Sequence, residues 1–86
     1  MIDQEFSVRR FVTEYSNETE TLLADYELVA FNLEAFQSAL GVSSEDPMFD
    51  CYEIGPHHVV FLTQCLAIMP AWDFSRRSYY IEASAV

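Results

Sequence analysis

A long stretch without positive charge constrains this chain more than any other feature. From Phe11 to Ser75 the sequence contains eleven Asp or Glu residues and no Lys or Arg, and the whole chain has 14 acidic residues against 4 basic ones. The formal charge of -10 destabilises a compact state through self-repulsion. Because the charge has this cost, it indicates a benefit to function or to solubility. Such a molecule is repelled by nucleic acid and anionic membranes and attracted to cationic partners. We therefore expect a protein that binds a basic protein, with no nucleic-acid or membrane partner.

Composition and length predict one folded domain. Hydrophobic residues make up 51% of the chain and aromatic residues 15%, which is too apolar for a disordered acidic tail. No apolar run approaches the roughly 20 residues of a membrane span, and the acidic N-terminal segment lacks the basic region of a secretory signal. The two cysteines, Cys51 and Cys65, do not make a disulfide framework. We expect a cytoplasmic protein with reduced thiols, although a single bridge between the two remains open.

The first third of the chain predicts a β-hairpin. Residues 5–15 are rich in aromatic and β-branched side chains, which is typical of a strand. The polar cluster at residues 16–20 predicts a turn. From Leu22 to Leu28 apolar residues alternate with acidic ones, which predicts a half-buried strand with a charged outer face, paired with the first strand.

Capping signals predict one helix, and an apolar pattern predicts a second. Asn32 occupies the N-cap position before residues 33–40, and Gly41 follows as a stop signal. Pro56 suits the first position of a second helix that extends to about Met69. Apolar side chains cover most of the circumference of this second helix, so we expect it to be central or packed on two sides.

The remaining segments complete an α+β pattern. A short strand is predicted between Met48 and Ile54, and a last strand from Phe74 to Ala83. The order β-β-α-β-α-β predicts a small single domain of the α+β class. Its antiparallel sheet has about three to four strands, with two helices packed on one face. The order of the strands in the sheet stays open.

Clustered carboxylates are the candidate binding residues. One group lies on the second strand and the turn before it, and a second group surrounds the Asp-Pro-Met segment that begins at Asp46. A negative surface of this kind steers a basic partner and pairs with its cations, while a solvated face that only aids solubility is the alternative. Tyr52 is the candidate aromatic anchor because it lies among these acids. The predicted binding residues are Glu18, Glu20, Asp25, Glu27, Glu45, Asp46, Asp50, Tyr52 and Glu53.

The four arginines occur as two adjacent pairs, at positions 9–10 and 76–77. Neighbours in a strand point to opposite faces, so each pair contributes one arginine to each face of the sheet. If the first and last strands lie near Asp25 and Glu27, we expect cross-strand ion pairs with these acids. A phosphate-binding patch would need unopposed arginines, which the surrounding negative charge disfavours.

No pattern in the sequence indicates catalysis or a bound metal. His57, His58, Cys51, Cys65 and Asp50 have ligand atoms, but there is no Cys-x-x-Cys pair, and adjacent histidines on a helix do not converge. Both cysteines lie in apolar patterns, so we expect buried, unreactive thiols. With two glycines the chain has no glycine-rich phosphate loop. We expect no enzymatic activity, no cofactor and no metal.

One segment carries a family resemblance. Residues 46–54 read Asp-Pro-Met-Phe-Asp-Cys-Tyr-Glu-Ile and follow a helix that ends in Leu-Gly-Val at 40–42. Together with residues 27–33 and 74–82, this segment resembles a small uncharacterised bacterial domain family, over most of the chain from about Val8 to Ala83. Proteins of this appearance resemble the immunity proteins that accompany polymorphic and contact-dependent growth-inhibition toxins. The resemblance implies a single immunity-like domain over residues 1–86 that binds a cognate toxin domain in the cytoplasm, with no enzymatic role.

Two other functions stay open on the sequence. An acidic inhibitor that mimics nucleic acid would place carboxylates like phosphates along one elongated face. A structural subunit would self-associate, for example as a homodimer, through the strongly apolar second helix.

Overall fold

An antiparallel sheet with two helices on one face makes up this protein, which confirms the predicted α+β class. The computed structural model describes residues 2–3 and 8–85, and side chains from residue 8 onward. The elements in chain order are β1 (Ile2–Asp3), β2 (Val8–Ser16), β3 (Leu22–Glu27), α1 (Leu33–Leu40), β4 (Tyr52–Ile54), a 3₁₀ turn (Pro56–His58), α2 (Val59–Leu62) and β5 (Arg77–Ala85).

The central strands of the sheet come from opposite ends of the chain. β2 and β5 pair over their whole length, from Val8 opposite Ala85 to Ser16 opposite Arg77. β4 pairs with the free edge of β5, and β3 pairs with the free edge of β2. The short β1 pairs with the first residues of β2. Across the sheet the order is therefore β3-β2-β5-β4, with every pair antiparallel.

The predicted strands are present with shifted ends. The hairpin of β2 and β3 is confirmed, although residues 5–7 of the predicted first strand lie outside the described residues. β4 occupies part of the predicted 48–54 segment, and β5 begins at Arg77, later than the predicted Phe74. A turn over residues 74–76 delays β5, because the Asp73 carbonyl accepts from the backbone N–H groups of Arg76 and Arg77.

Alternation along β2 and β5 creates one apolar face, and both helices pack against it. Val12 of β2 lies opposite Ile81 of β5, and both side chains are buried. Phe36 of α1 and Leu62 of α2 join them in a single core. The core residues are Val12, Leu28, Phe36, Met48, Ile54, Leu62, Cys65, Leu66, Tyr79 and Ile81. The other face of the sheet has no described helix against it.

Helix α1 forms as the capping signals predict. The Asn32 side-chain oxygen accepts from the Ala35 N–H at 3.0 Å, which satisfies a backbone donor that the helix leaves unpaired. Gly41 ends the helix with a φ of +67°, a left-handed conformation that glycine adopts without steric cost. The Val42 N–H then donates to the Gln37 carbonyl at 2.9 Å, completing a Schellman-type end.

The second helix is much shorter than predicted. Only Pro56–His58 and Val59–Leu62 are helical, whereas the apolar pattern predicted a helix to about Met69. After Leu62 the chain turns, and Leu66 forms a backbone bridge with Leu28. The Thr63 hydroxyl donates to the Val60 carbonyl. This side-chain bond competes with the backbone hydrogen bonds of the helix and favours its end at this point. The prediction was wrong because an almost wholly apolar segment does not show where a helix ends and a buried extended segment begins.

A buried carboxylate fastens three parts of the sheet together. Glu14 on β2 is 6% exposed, and its two side-chain oxygens accept from Tyr26 of β3 at 3.0 Å and from Arg77 of β5 at 2.7 Å. The Tyr79 hydroxyl also donates to Glu14, at 3.3 Å, and the Asp73 N–H donates to that hydroxyl. Burial is the main cause that raises the pKa of both tyrosines, so both hydroxyls remain donors at neutral pH.

Replacing this carboxylate should be costly. Glu14→Ala leaves two tyrosine hydroxyls and one arginine without their acceptor, so we expect the free energy of unfolding to fall by about 2–3 kcal/mol. Urea denaturation measures this change. The matched control Glu53→Ala removes an exposed carboxylate and should alter stability by no more than about 0.5 kcal/mol. A similar loss in both variants would contradict the assignment.

His58 joins the end of α1 to the turn before α2. Its Nδ1 accepts from the Gly55 N–H at 2.9 Å, so its Nε2 carries the proton and donates to the Ala39 carbonyl at 3.1 Å. Burial, followed by the neighbouring charge of His57, lowers the pKa of His58. A proton on Nδ1 would remove the acceptor that Gly55 uses.

Stability should therefore fall in mildly acidic solution. Because the pKa of His58 is lower in the folded than in the unfolded chain, the unfolded chain takes up this proton first as the pH falls below about 6.5. The neutral His58 stabilises the folded chain above that pH, and this contribution to the free energy of unfolding should decline progressively below it. Thermal unfolding from about pH 7.5 to about pH 5 should show a steeper fall in Tm for the native chain than for His58→Asn. His57→Asn should retain most of the slope, because the burial of His58, the larger cause of its lowered pKa, stays in place. Carboxylates with lowered pKa values, such as Asp46 and Asp73, act in a separate range at or below about pH 4. Equal slopes for the native chain and His58→Asn would show that His58 does not cause the loss.

Candidate partner-binding surface

The face of the sheet opposite the helices is polar and acidic. One row runs across it from Asp25 through Thr13 and Tyr80 to Glu53, set by the register of the four strands. A second row places Phe11 between Glu27 and Glu82. We call the side chains of this side the open face, namely Arg9, Phe11, Thr13, Tyr15, Asp25, Glu27, Glu53, Ser78, Tyr80, Glu82 and Ser84.

A shallow concavity of about 730 Å³ lies on the open face beside the β2–β3 turn. Two aromatic rings form part of its wall, since Tyr15 and Tyr80 meet edge to face with centroids 5.7 Å apart. One oxygen of Glu82, Oε2, accepts from the hydroxyls of Thr13 and Tyr15. The lining residues are Tyr15, Ser16, Asn17, Glu20, Cys51, Ser78, Tyr80 and Glu82, and none of these is basic.

Tyr15 and Cys51, which line the concavity, keep their protons at neutral pH. Burial, and then the charge of Glu82, raises the pKa of the Tyr15 hydroxyl. Cys51 is exposed as a residue, yet the atoms around its thiol partly desolvate it, and this effect followed by the charge of Glu82 raises the pKa of the thiol. A thiol held protonated is a poor nucleophile, so the concavity is suited to binding and not to covalent chemistry.

Only part of the predicted binding set lies on this side of the sheet. Glu20 lines the concavity, and Glu53 stands next to Tyr80 on the open face. Glu18 is exposed in the adjoining turn, in a depression that it shares with Arg76. Asp25 lies on the open face at the far edge, as does Glu27. Sequence reasoning missed Glu82 and Tyr15, because nothing local in the sequence indicates which face of a strand stays uncovered.

In the predicted group around the Asp-Pro-Met segment, Asp46 and Tyr52 have a structural role. Asp46 accepts from the Met48 N–H at 2.8 Å and from the Tyr52 hydroxyl at 2.6 Å. These contacts lower the pKa of Asp46, the Tyr52 bond being the main cause, and burial followed by Asp46 raises the pKa of Tyr52 to about 12. Tyr52 and Asp46 thus bind each other, whereas Glu45 and Asp50 in the same segment are exposed.

A buried arginine holds this segment in place. Arg10 is 1% exposed, and its guanidinium donates to the carbonyls of Met48 and Pro47. The ring of Phe31 lies 4.2 Å from the guanidinium carbon, within the range of a cation–π contact. Met48 itself is fully buried and has a φ of +57°, which is unusual for a residue with a side chain. The Asp-Pro-Met motif therefore reflects packing around an arginine.

Mutations in this segment should separate structural from surface acids. Tyr52→Phe removes one hydrogen bond to a charged acceptor, so we expect a loss of about 1 kcal/mol in the free energy of unfolding. Asp46→Lys should lower Tm further because it also removes the acceptor of the Met48 N–H. Asp50→Lys, at an exposed site, should change stability by about 0.5 kcal/mol at most. Thermal and urea unfolding of the three variants test this order, and an Asp46→Lys protein as stable as Asp50→Lys would refute it.

Three arginines are drawn into contacts within the chain. Arg9 pairs with Glu27 at 2.5 Å and lies 3.9 Å from Asp25, which confirms the cross-strand pairing predicted for these acids. Arg77 pairs with Glu14, and Arg10 points inward as described above. Within the described part of the chain, Arg76 is the arginine that has no ion pair and is exposed. Among the described residues, Glu20, Glu53 and Glu82 form no ion pair with an arginine of the chain.

A known protein family matches the part of the chain that forms most of the sheet and its open face. The family described as "Domain of unknown function (DUF7683)" matches residues 9–82, which extend from β2 into β5. The chain belongs to this family. A comparison with curated proteins finds no match. Membership brings no assigned activity, so the site has to be interpreted from its own chemistry.

The described residues contain no cluster of metal ligands, and their two thiols lie in different surroundings. No three His, Cys, Asp or Glu side chains converge as a metal site in residues 8–85. Cys65 is buried as predicted, whereas Cys51 is exposed and contradicts the prediction of a buried thiol, because it precedes β4 at the rim of the concavity. Both thiols are free. Over the described ranges, no helix has the length and apolarity needed to cross a lipid bilayer.

Proposed function

We propose that this protein is a cytoplasmic immunity protein that binds a basic toxin domain, such as a nuclease, and neutralises it. The proposal depends on one observation, namely that most of the positive charge is engaged within the chain. Arg9, Arg10 and Arg77 bind groups of the same chain, so the exposed carboxylates keep their negative field. The resemblance of residues 27–33, 46–54 and 74–82 to immunity proteins leads us to expect the same function.

The mechanism would be stoichiometric occlusion. Long-range attraction between a negative surface and a basic domain raises association rates by roughly 10–1,000-fold. Bound in this way, the protein would cover the cationic channel in which a nuclease holds the phosphate backbone of its nucleic-acid substrate. Chemistry within the immunity protein is not required, which agrees with the protonated thiols and the carboxylates used in structural contacts.

Co-expression tests the proposal directly. Each toxin domain encoded beside this gene is expressed with and without the chain, and growth and complex formation are measured. We expect rescue of growth by one such domain and a one-to-one complex. Raising the salt from about 0.05 M to about 0.5 M should slow association at least tenfold, since salt screens exposed charges.

A matched pair of variants sharpens this test. Glu18→Lys combined with Glu20→Lys reverses two exposed acids beside the concavity, whereas Glu34→Lys reverses one exposed acid on α1. We expect the first variant to lose at least ten times more association rate than the second. If the chain neutralises none of the toxin domains encoded beside its gene, the proposed function is wrong.

Self-association is the second candidate function. Val60 of α2 is 76% exposed and Ile68 beyond it is 72% exposed, so a second copy that covered them would bury apolar surface. A structural subunit would cover them in a homodimer or larger assembly. Sedimentation equilibrium decides between the two, because a mass that rises with concentration, in the absence of any toxin, favours the subunit.

Mimicry of nucleic acid has less support. The exposed acids are divided between the open face, with Glu53, and the helix side, with Glu34. A mimic needs carboxylates in one long row at phosphate-like spacing.

A further inference from the structure

We infer that the open face is the docking surface for the basic partner, and that its concavity receives an arginine side chain of that partner. This inference rests on the proposed function and names the part of the surface that would perform it. The occupant is a surface segment of the basic domain that presents a guanidinium group to Glu82 and the two tyrosine rings.

The shape of the surface supports this occupant. Both described helices pack on the opposite side of the sheet, so strands β2, β5 and β4 present their outer side chains without a covering layer. The concavity of about 730 Å³ is far larger than a guanidinium group and leaves space for the backbone around it. A projecting loop of the partner fits this concavity better than a flat partner surface does.

Charge complementarity selects a cation. Glu82 uses Oε2 for the hydroxyls of Thr13 and Tyr15, and within the described residues its Oε1 accepts no hydrogen bond. Glu20 adds a second carboxylate at the rim. No basic residue of the chain lines the concavity, so these carboxylates are available to an outside cation.

Aromatic rings favour arginine over lysine. The guanidinium group is planar and weakly hydrated, and it stacks on aromatic rings while it donates to a carboxylate. Tyr15 and Tyr80 stand edge to face at 5.7 Å beside Glu82, so one guanidinium can contact a ring and the free carboxylate oxygen together. A lysine ammonium, as a hydrated point charge, gains less from the rings.

Small probes test the docking site without the partner. N-acetyl-L-arginine amide is titrated into ¹⁵N-labelled protein, with N-acetyl-L-citrulline amide as the neutral analogue of the same shape and the lysine amide as the second cation. We expect saturable shifts at the backbone amides of Ser16, Asn17, Ser78 and Tyr80, with a Kd of about 10 mM for arginine, weaker binding of lysine and none of citrulline.

Two variants show whether the concavity is the site. Glu82→Gln keeps an acceptor for the Thr13 and Tyr15 hydroxyls but removes the charge, and should weaken arginine binding about fivefold. The control Glu34→Gln removes an exposed charge on α1 and should leave the Kd unchanged. Thermal unfolding of both variants checks that each is folded. If Glu82→Gln does not fold, Glu20→Asn replaces it, because asparagine suits the φ of +57° at Glu20.

Several results would overturn the inference. These are shifts spread evenly over the acidic surface, equal affinities in Glu82→Gln and Glu34→Gln, equal responses to arginine and citrulline, or no saturable shift up to about 0.1 M probe. Failure here is distinct from failure of the proposed function. A toxin that binds both variants equally keeps the immunity function and removes this docking site, whereas arginine binding without any neutralised toxin does the reverse.

Discussion

The pairing of β2 with β5 is the contact on which the rest of the structure depends. It joins residues 8–16 to residues 77–85, near the two ends of the chain, and supplies the two strands to which β3 and β4 attach. Its register is held by Glu14, which lies opposite Tyr79 and also binds Arg77 of the same strand. A shift of one residue would move Glu14 to the other face and would leave its donors inside without an acceptor.

That register also decides how the scarce positive charge is used. On β2 it turns Arg10 toward the core face, where the carbonyls of Pro47 and Met48 and the ring of Phe31 surround it, and it turns Arg9 toward Glu27 on the other side. Arginine suits both places because its planar donors satisfy several acceptors at once. With these cations engaged, the acids left on the surface act together as a negative field, and this field is the physical basis of the proposed binding function.

Local signals predicted the elements whose ends are marked by their own residues. Asn32 and Gly41 define α1 because a side-chain acceptor and a left-handed glycine act within one turn of the backbone. The alternation from Leu22 to Leu28 placed the hairpin for a similar reason. The extent of α2 was not predictable in this way, since its end depends on Leu66 reaching Leu28, a residue almost forty positions away. The same limit applies to Tyr52 and Asp46, which resembled an acidic interface but bind each other.

The sequence by itself determined the α+β class, the acidic character and the positions of the hairpin and α1, because composition and capping act locally. Only the tertiary structure decided which acids remain available. Glu14 and Asp46 accept hydrogen bonds across strands and loops, whereas Glu82 and Glu20 line a concavity together with two tyrosines on an uncovered face. The reason is physical: the face toward which a strand residue points follows from its alternation, but which face the helices cover is settled when the distant strands pair and the core closes.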